Sequence, residues 1–339
     1  MRKELGMALA LGLMCVVLGI SNPDFYNQAN ILNTARHIAM LGIFTIGLSF
    51  TIITGGIDLS VGSVIGLTGV IIAAISTAKD GMLAGSIWMG ILLAFVIALA
   101  FGLFQGVLIA LLGLQPFIVT LGGMLLLRGV SQTICHGGTI SFGASRFRDL
   151  ADSGFFQVGN ACLLPYPIVI FLVVVLLATY LLHYTPFGRH VYAIGGNREA
   201  ARYSGIPVKR VEIVSYVISA GLAALAGVVY AAYIGQMSHT VGSTYELLGI
   251  AAAVLGGCSL RGGEGTIGGI VIGSAMMKVI ENGINIFKIS YRDAAGAPRE
   301  WRLDTNWQYI VIGAVILVAV VLDQGSHLLQ SWRERRSTA

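Results

Sequence analysis

The chain has 339 residues, 56% of them hydrophobic and only 11% charged, with 45 glycines and a net charge of +5. Soluble domains carry roughly 25% charged residues, and several apolar runs here approach or exceed the ~18 residues that suggest a spanning helix. Together these exclude a soluble helical protein with an oversized core and predict an all-α polytopic membrane protein.

Apolar runs and their polar breaks predict helices over 5–21, 38–54, 61–78, 87–112, 116–135, 164–184, 211–235, 246–256, 265–287 and 307–323, about ten in all. Met1 to Ile20 has the basic start and short apolar stretch of a signal peptide, but no small-x-small site precedes Pro23, so an uncleaved first helix is expected. The run 246–256 is the shortest of these and reads either as a span or as a half-helix or re-entrant segment. Cys15, Cys135, Cys162 and Cys258 have neither metal-ligand nor disulfide spacing and act as small hydrophobes. The six histidines lie mostly at segment edges without an i, i+4 pair, and no nucleophile motif such as G-x-S-x-G occurs, so no covalent chemistry and no metal site are expected.

Ten helices put both termini on one side. Basic residues concentrate in the loop 185–210 (Arg189, Arg198, Arg202, Lys209, Arg210) and in the tail 327–339 (Arg333, Arg335, Arg336), which places that side in the cytoplasm. The stretches 136–163 and 288–306 then lie outside, either as plain connections or as a platform for an extracytoplasmic partner.

The loop "HYTPFGRHVYAIGGNREAARYSGIPVKRVEI" (183–213) predicts a short helix from Arg198 to Ser204. Asn197 is a good N-cap, Glu199 suits the first turn, Ala200 and Ala201 favour helix, and Gly205 with Pro207 ends it before Ile206 can extend it. Such a helix could enter another protein's groove, or merely lie at the headgroups through its basic residues.

"EAARYSGI" resembles the EAA-type loop by which permeases of bacterial ABC importers dock on their ATPase. The whole chain is similar to the permeases of ribose-, xylose- and galactoside-type importers, through "TGGIDLSVGS" (54–63), "QPFIVTLGGMLLLRG" (115–129), "GRHVYAIGGNREAARYSGI" (188–206), "VLGGCSLRGGEGTIGG" (254–269) and "ENGINIF" (281–287). The resemblance implies one permease domain over 1–339 in the bacterial inner membrane. It also implies docking through Asn197, Glu199, Ala200, Ala201, Gly205 and Ile206, and partnership with a second permease copy or paralogue, a cytoplasmic ATPase and an extracytoplasmic sugar-binding protein. Lipid surrounds such a protein, and nucleic acid is no partner. ATP and magnesium would sit on the ATPase, since "LGGCSLRGGEGTIGG" lacks the Lys-Ser or Lys-Thr pair of a phosphate-binding loop. Permeases for nucleosides, branched-chain amino acids and the furanosyl autoinducer are close cousins, so these solutes are the alternatives.

Two glycine breaks stand out. In "TGGIDLSVG" (54–62), Gly55 and Gly56 interrupt a helix while Asp58 and Ser60 are cap types for the run starting at Val61; the break either only caps that helix or also lines a path. Gly256-Gly257-Cys258-Ser259-Leu260 repeats its Gly-Gly-x-x-Leu pattern, with Gly263 matching Gly62, as paired breaks in two transporter halves would. Lys278, Glu281, Asn282 and Asn285 form a polar stripe that either lines the channel or joins helices, with Lys278 and Glu281 neutralising each other. Arg128 is expected to snorkel. An ion-coupled carrier using Asp58 and Glu281 is the rival class, but it leaves the EAA-like loop unexplained. A neutral sugar suits a weak path of hydroxyls and amides, with affinity held by the binding protein.

Overall fold

The computed structural model describes residues 2–78, 85–142, 146–158, 161–292 and 298–302, with isolated positions between 307 and 321. The helix expected over 307–323 falls mostly outside these residues.

Helix α1 (Arg2–Ser21) leads through a 3-10 turn at Pro23–Tyr26 into α2 (Gln28–Ile53). This second helix starts ten residues before its apolar run, because Asn27 caps it by accepting the Ala29 N–H at 3.0 Å and the polar stretch that follows is still helix-compatible. Apolarity marks only where a helix crosses lipid; the cap marks where it begins. Next come α3 (Val61–Thr77), α4 (Ile87–Ala110) and α5 (Pro116–Cys135), then strand β1 (Thr139–Ser141), the short α6 (Asp149–Asp152), and strands β2 (Gly154–Val158) and β3 (Ala161–Pro165). Helix α7 (Tyr166–Thr179) ends in a π turn at Tyr180–Tyr184, beyond which Pro186 opens α8 (Pro186–Gly196). The remainder is α9 (Arg198–Tyr203), α10 (Val208–Ile234), β4 (Gln236–Ser238), α11 (Tyr245–Leu255), α12 (Ile267–Ile286), β5 (Lys288–Arg292) and β6 (Pro298–Arg302). Among the described residues, seven helices are long and apolar enough to cross a membrane.

Helices α2, α3 and α10 form the centre: Phe44, Ile46, Phe50, Val61, Ile65, Ala223 and Ala231 are all buried. Helix α1 buries almost nothing, and Leu9, Leu13 and Ile20 stay exposed, as lipid-facing side chains do. Helix α4 lies flush on α10, because a Cβ at Gly102 or Gly106 would meet Ala220 or the backbone of Ile213 within 3 Å.

Strands were not expected, yet three antiparallel pairs occur in the loops. Thr139 pairs with Ser238 and Ser141 with Gln236; β2 pairs with β3 and β5 with β6. All belong to the connections at the end of the bundle opposite α9. After β4 the chain turns inward and runs down a groove in α3. Met237 fills the space at Gly69, and the carbonyls of Val241 and Gly242 lie where side chains at Gly66 and Gly62 would stand. Non-helical backbone at membrane depth is tolerated only when protein encloses it, and those three glycines provide the enclosure. The segment then becomes α11, an 11-residue half-helix, one of the readings open to the short apolar run.

Candidate functional site

The first break begins with a Schellman turn. Gly55 adopts φ +85, its N–H bonds the Ile52 carbonyl at 2.9 Å, and the Gly56 N–H bonds the Thr51 carbonyl at 2.8 Å. The chain then runs without regular structure back into the bundle until α3 starts at Val61. Asp58, 1% exposed, sits in this irregular part. Its Oδ1 accepts the Ser60 N–H at 2.9 Å and the Ser60 hydroxyl at 2.6 Å, and its Oδ2 accepts the Ser219 hydroxyl of α10 at 2.8 Å. Ser219 lies eleven residues into α10, so Asp58 is held about 16 Å inside the bundle at 1.5 Å per residue.

Capping describes Asp58 only in part, since it accepts the Ser60 N–H at the approach to α3 but also reaches α10. Ser60 occupies the N-cap position without a side-chain cap bond, its own backbone there being already helical (φ −80, ψ −12), and its hydroxyl donates to Asp58. Asp58 in turn bridges the break to a neighbouring helix. Ser60 Oγ also lies 3.0 Å from the Gln105 amide of α4. The Gln105 atom at that distance is the amide oxygen Oε1, so the single Ser60 hydroxyl proton has two acceptors in reach and the nearer one, Asp58 at 2.6 Å, holds it. Thr120 Oγ1 of α5 lies 3.2 Å from the Ile57 carbonyl. Three helices thus grip the break through Ser219, Gln105 and Thr120. Gly55 and Gly56 line a cavity of about 430 Å³ whose other walls include Thr54, Gln115, Arg198, Glu212 and Tyr216.

The second break makes the same turn one residue out of register with the sequence match. Gly257, not Gly256, is left-handed (φ +83); its N–H bonds Val254 and the Cys258 N–H bonds Ala253, both at 2.9 Å. Gly55 therefore corresponds to Gly257. The expected pairing of Gly62 with Gly263 fails as well: Gly62 lies inside α3, whereas Gly263 is a loop residue at φ +79 whose N–H bonds the Ile53 carbonyl at 2.8 Å. Sequence identity misaligned the two because a Schellman turn needs one left-handed glycine and the Gly-Gly pair offers two. Gly256 packs on the backbone of Gly269 and Ile270 in α12, and Gly257 faces Met7 of α1. The loop up to Thr266 is fastened to the α8 side of the bundle. Tyr192 Oη donates to the Gly265 carbonyl at 2.6 Å, and Thr266 Oγ1 donates to Glu4 Oε1 at 2.7 Å. Burial pushes the Tyr192 hydroxyl up to about 12, so it remains a donor at working pH.

Helix α9 forms as the sequence predicts, one residue shorter. Asn197 Oδ1 accepts the Ala200 N–H at 2.9 Å. Gly205, at φ +81, closes a third Schellman turn, with its N–H on Arg202 and the Ile206 N–H on Ala201. Ala201 faces inward at 5% exposure, while Ala200 is exposed. The side chains of Glu199 and Arg202 are 58% and 71% exposed, and Tyr203 is 86% exposed. Tyr203 was missed by sequence reading; an aromatic on the outer face of a short polar helix was the available signal. Arg198 and Glu212 were missed too. They form a bidentate pair, Nε to Oε1 at 2.6 Å and Nη2 to Oε2 at 3.1 Å, and the hydrogen bond to Glu212 raises the Arg198 pKa.

The stripe on α12 divides. Asn282 exchanges amide hydrogen bonds with Asn30 of α2 at 2.7 and 3.1 Å, and so joins helices. Lys278 Nζ and Glu281 Oε2 pair at 2.7 Å. Asn285 is exposed near the helix end. Arg128 bonds the Ser243 hydroxyl at the start of α11.

Comparison with known proteins agrees with this architecture. The model of a family described as "Branched-chain amino acid transport system / permease component" matches residues 30–320. The chain is 36% identical over 315 residues to the ribose import permease protein RbsC of Escherichia coli K12, covering 93% of this chain and 92% of that one. It is 37% identical over 325 residues to RbsC of Bacillus subtilis, covering 95% and 93%. It is also 37% identical over 293 residues to the fructose import permease protein FruG of Bifidobacterium longum, covering 84% and 80%. No solved structure matches the chain. With its spanning helices, its half-helix and its exposed α9, the chain belongs to this family of multi-pass membrane permease components of ABC importers.

Proposed function

We propose that the chain carries a monosaccharide of the ribose type across the bacterial inner membrane by alternating access, driven by a separate cytoplasmic ATPase that grips α9. The carrying observation is α9 itself, a capped helix standing off the bundle with Glu199, Arg202 and Tyr203 presented outward. An exposed aromatic beside charged residues is the composition of a protein-binding anchor. On this reading α9 and both termini are cytoplasmic, in keeping with the basic residues of 185–210. A second permease copy or paralogue completes the path, and the β-hairpin end receives the sugar-binding protein. ATP and magnesium belong to the ATPase. The names of the relatives support a sugar, and the hydroxyl and amide groups gathered at Asp58 and Ser60 suit a neutral polyol that must be released. Glu281, Asn282, Asn285, Gly256 and Gly257 are assigned to the structure around the path rather than to contact with the solute.

The test is reconstitution of the permease with its ATPase and binding protein in liposomes. ATP-dependent uptake of labelled ribose, with weaker uptake of nucleosides and branched-chain amino acids, is the expected result. Uptake that follows an ion gradient and needs no ATP would overturn the reading. Gly205→Asp combined with Glu199→Lys should abolish uptake while leaving insertion intact; unchanged uptake would remove α9 from the docking role.

A further inference from the structure

Helix α9 is joined to the core by a short series of contacts that runs to the buried carboxylate. Arg198, its first residue, reaches Glu212 on α10 through two parallel N–H···O bonds of 2.6 and 3.1 Å. Glu212 is only 7% exposed, whereas the Arg198 side chain is about half exposed. A bidentate guanidinium–carboxylate pair fixes direction as well as distance, which a single ammonium contact does not. Glu212, Tyr216 and Ser219 then recur at i, i+4 and i+7, and so share one face of α10. That face looks onto the first break. Ser219 donates to Asp58 at 2.8 Å, and the buried Tyr216 hydroxyl, which has no hydrogen-bond partner among the described residues, fills the space where a Gly56 side chain would lie.

Helix α10 is packed closely on α4 along this stretch. Gly102 and Gly106 present α4 to it without protruding side chains, and the cavity of about 430 Å³ lies between Arg198, Glu212, Tyr216 and Gly56. A displaced α9 pulls on Glu212; Glu212 moves α10; α10 moves Ser219 and with it the hydrogen bonds that hold Asp58. An unpartnered Tyr216 hydroxyl beside that cluster is a donor available to a second arrangement.

We propose that the Arg198–Glu212 pair is the strut that transmits motion of α9 along α10 to the Asp58 break, so that solute passage is conditional on the nucleotide cycle. Glu212 is a positioning residue and touches no solute. This rests on the reading of α9 as the ATPase dock. Coupling of this kind is typically worth a 5- to 150-fold change between linked sites.

The experiment uses the complete transporter in proteoliposomes and measures ribose uptake and ATP hydrolysis together. Glu212→Gln should raise the ATP hydrolysed per ribose imported by about fivefold or more, with the amount of assembled complex unchanged. Arg198→Glu should do the same, and the exchange Arg198→Glu/Glu212→Arg should restore the ratio. A wild-type ratio in Glu212→Gln overturns the proposal. So does a parallel fall of uptake, hydrolysis and recovered complex, which would mark the pair as purely structural, and so does failure of the exchange to restore coupling. Absence of ATP-dependent uptake by the wild-type transporter would instead defeat the functional reading on which the proposal rests.

Discussion

The breaks at Gly55-Gly56 and Gly256-Gly257 start with the same turn and lead to opposite ends. After Gly55 the chain runs back into the bundle and carries a buried carboxylate, held by Ser60 and by Ser219 of α10. After Gly257 it stays at the α9 end, tied to Ile53, Tyr192 and Glu4. The residue after the turn explains the difference. Asp58 is stable only where hydroxyls and amides enclose it, whereas Cys258, Ser259 and Leu260 have no comparable demand and the loop is fixed by its backbone. The same helix stop thus serves one polar centre and one strap fastened to α8 and α1.

The largest expected effect separates these roles. Asp58→Leu leaves the Ser60 N–H and the Ser219 hydroxyl without their acceptor inside the bundle, which costs about 2–6 kcal/mol at ~1–3 kcal/mol per buried orphan group. Monodisperse protein should disappear at clearly lower temperature on heating in detergent, and a wild-type profile would mean that Asp58 is not the hub. Gly256→Ala should come next, because its Cβ would strike the backbone of Gly269 and Ile270, which cannot turn aside; it costs roughly 2–3 kcal/mol by overpacking, and no single side-chain reduction should rescue it. Gly56→Ala is smaller and conditional. Its Cβ meets the Tyr216 hydroxyl, so Tyr216→Phe should recover most of the loss; a double variant no better than the single one would place the clash elsewhere. Smallest and most alike are Gly55→Ala and Gly257→Ala, each forcing a left-handed alanine at about 1–2 kcal/mol. Unequal losses at these two positions, read by the same heating assay, would break the structural equivalence of the turns.

Sequence reading succeeded where one local rule decides. Asn197 and Gly205 delimit α9 because a cap side chain and a left-handed glycine act within a few residues of themselves. The run 246–256 was legible as a candidate half-helix because it is the shortest of the apolar runs. Reading failed where a polar group's partner lies far along the chain. Glu212 looked like the edge of an apolar run until Arg198 was placed against it, and Asp58 looked like a cap until Ser219 was. Asn282 could equally have faced a channel; only Asn30, 252 positions away, makes it a joint between helices.

The sequence by itself determined that this chain lives in a membrane, where its helices stop, and that a short capped helix follows Asn197. Those follow from transfer free energy and from backbone geometry, which a residue carries wherever it is put. Tertiary structure alone decided which of two similar glycine turns encloses a carboxylate and which glycines of α3 admit a non-helical segment. It also decided how α9 is tied to the core. Each of these depends on what fills the space opposite a side chain, and that space is made by helices distant in sequence.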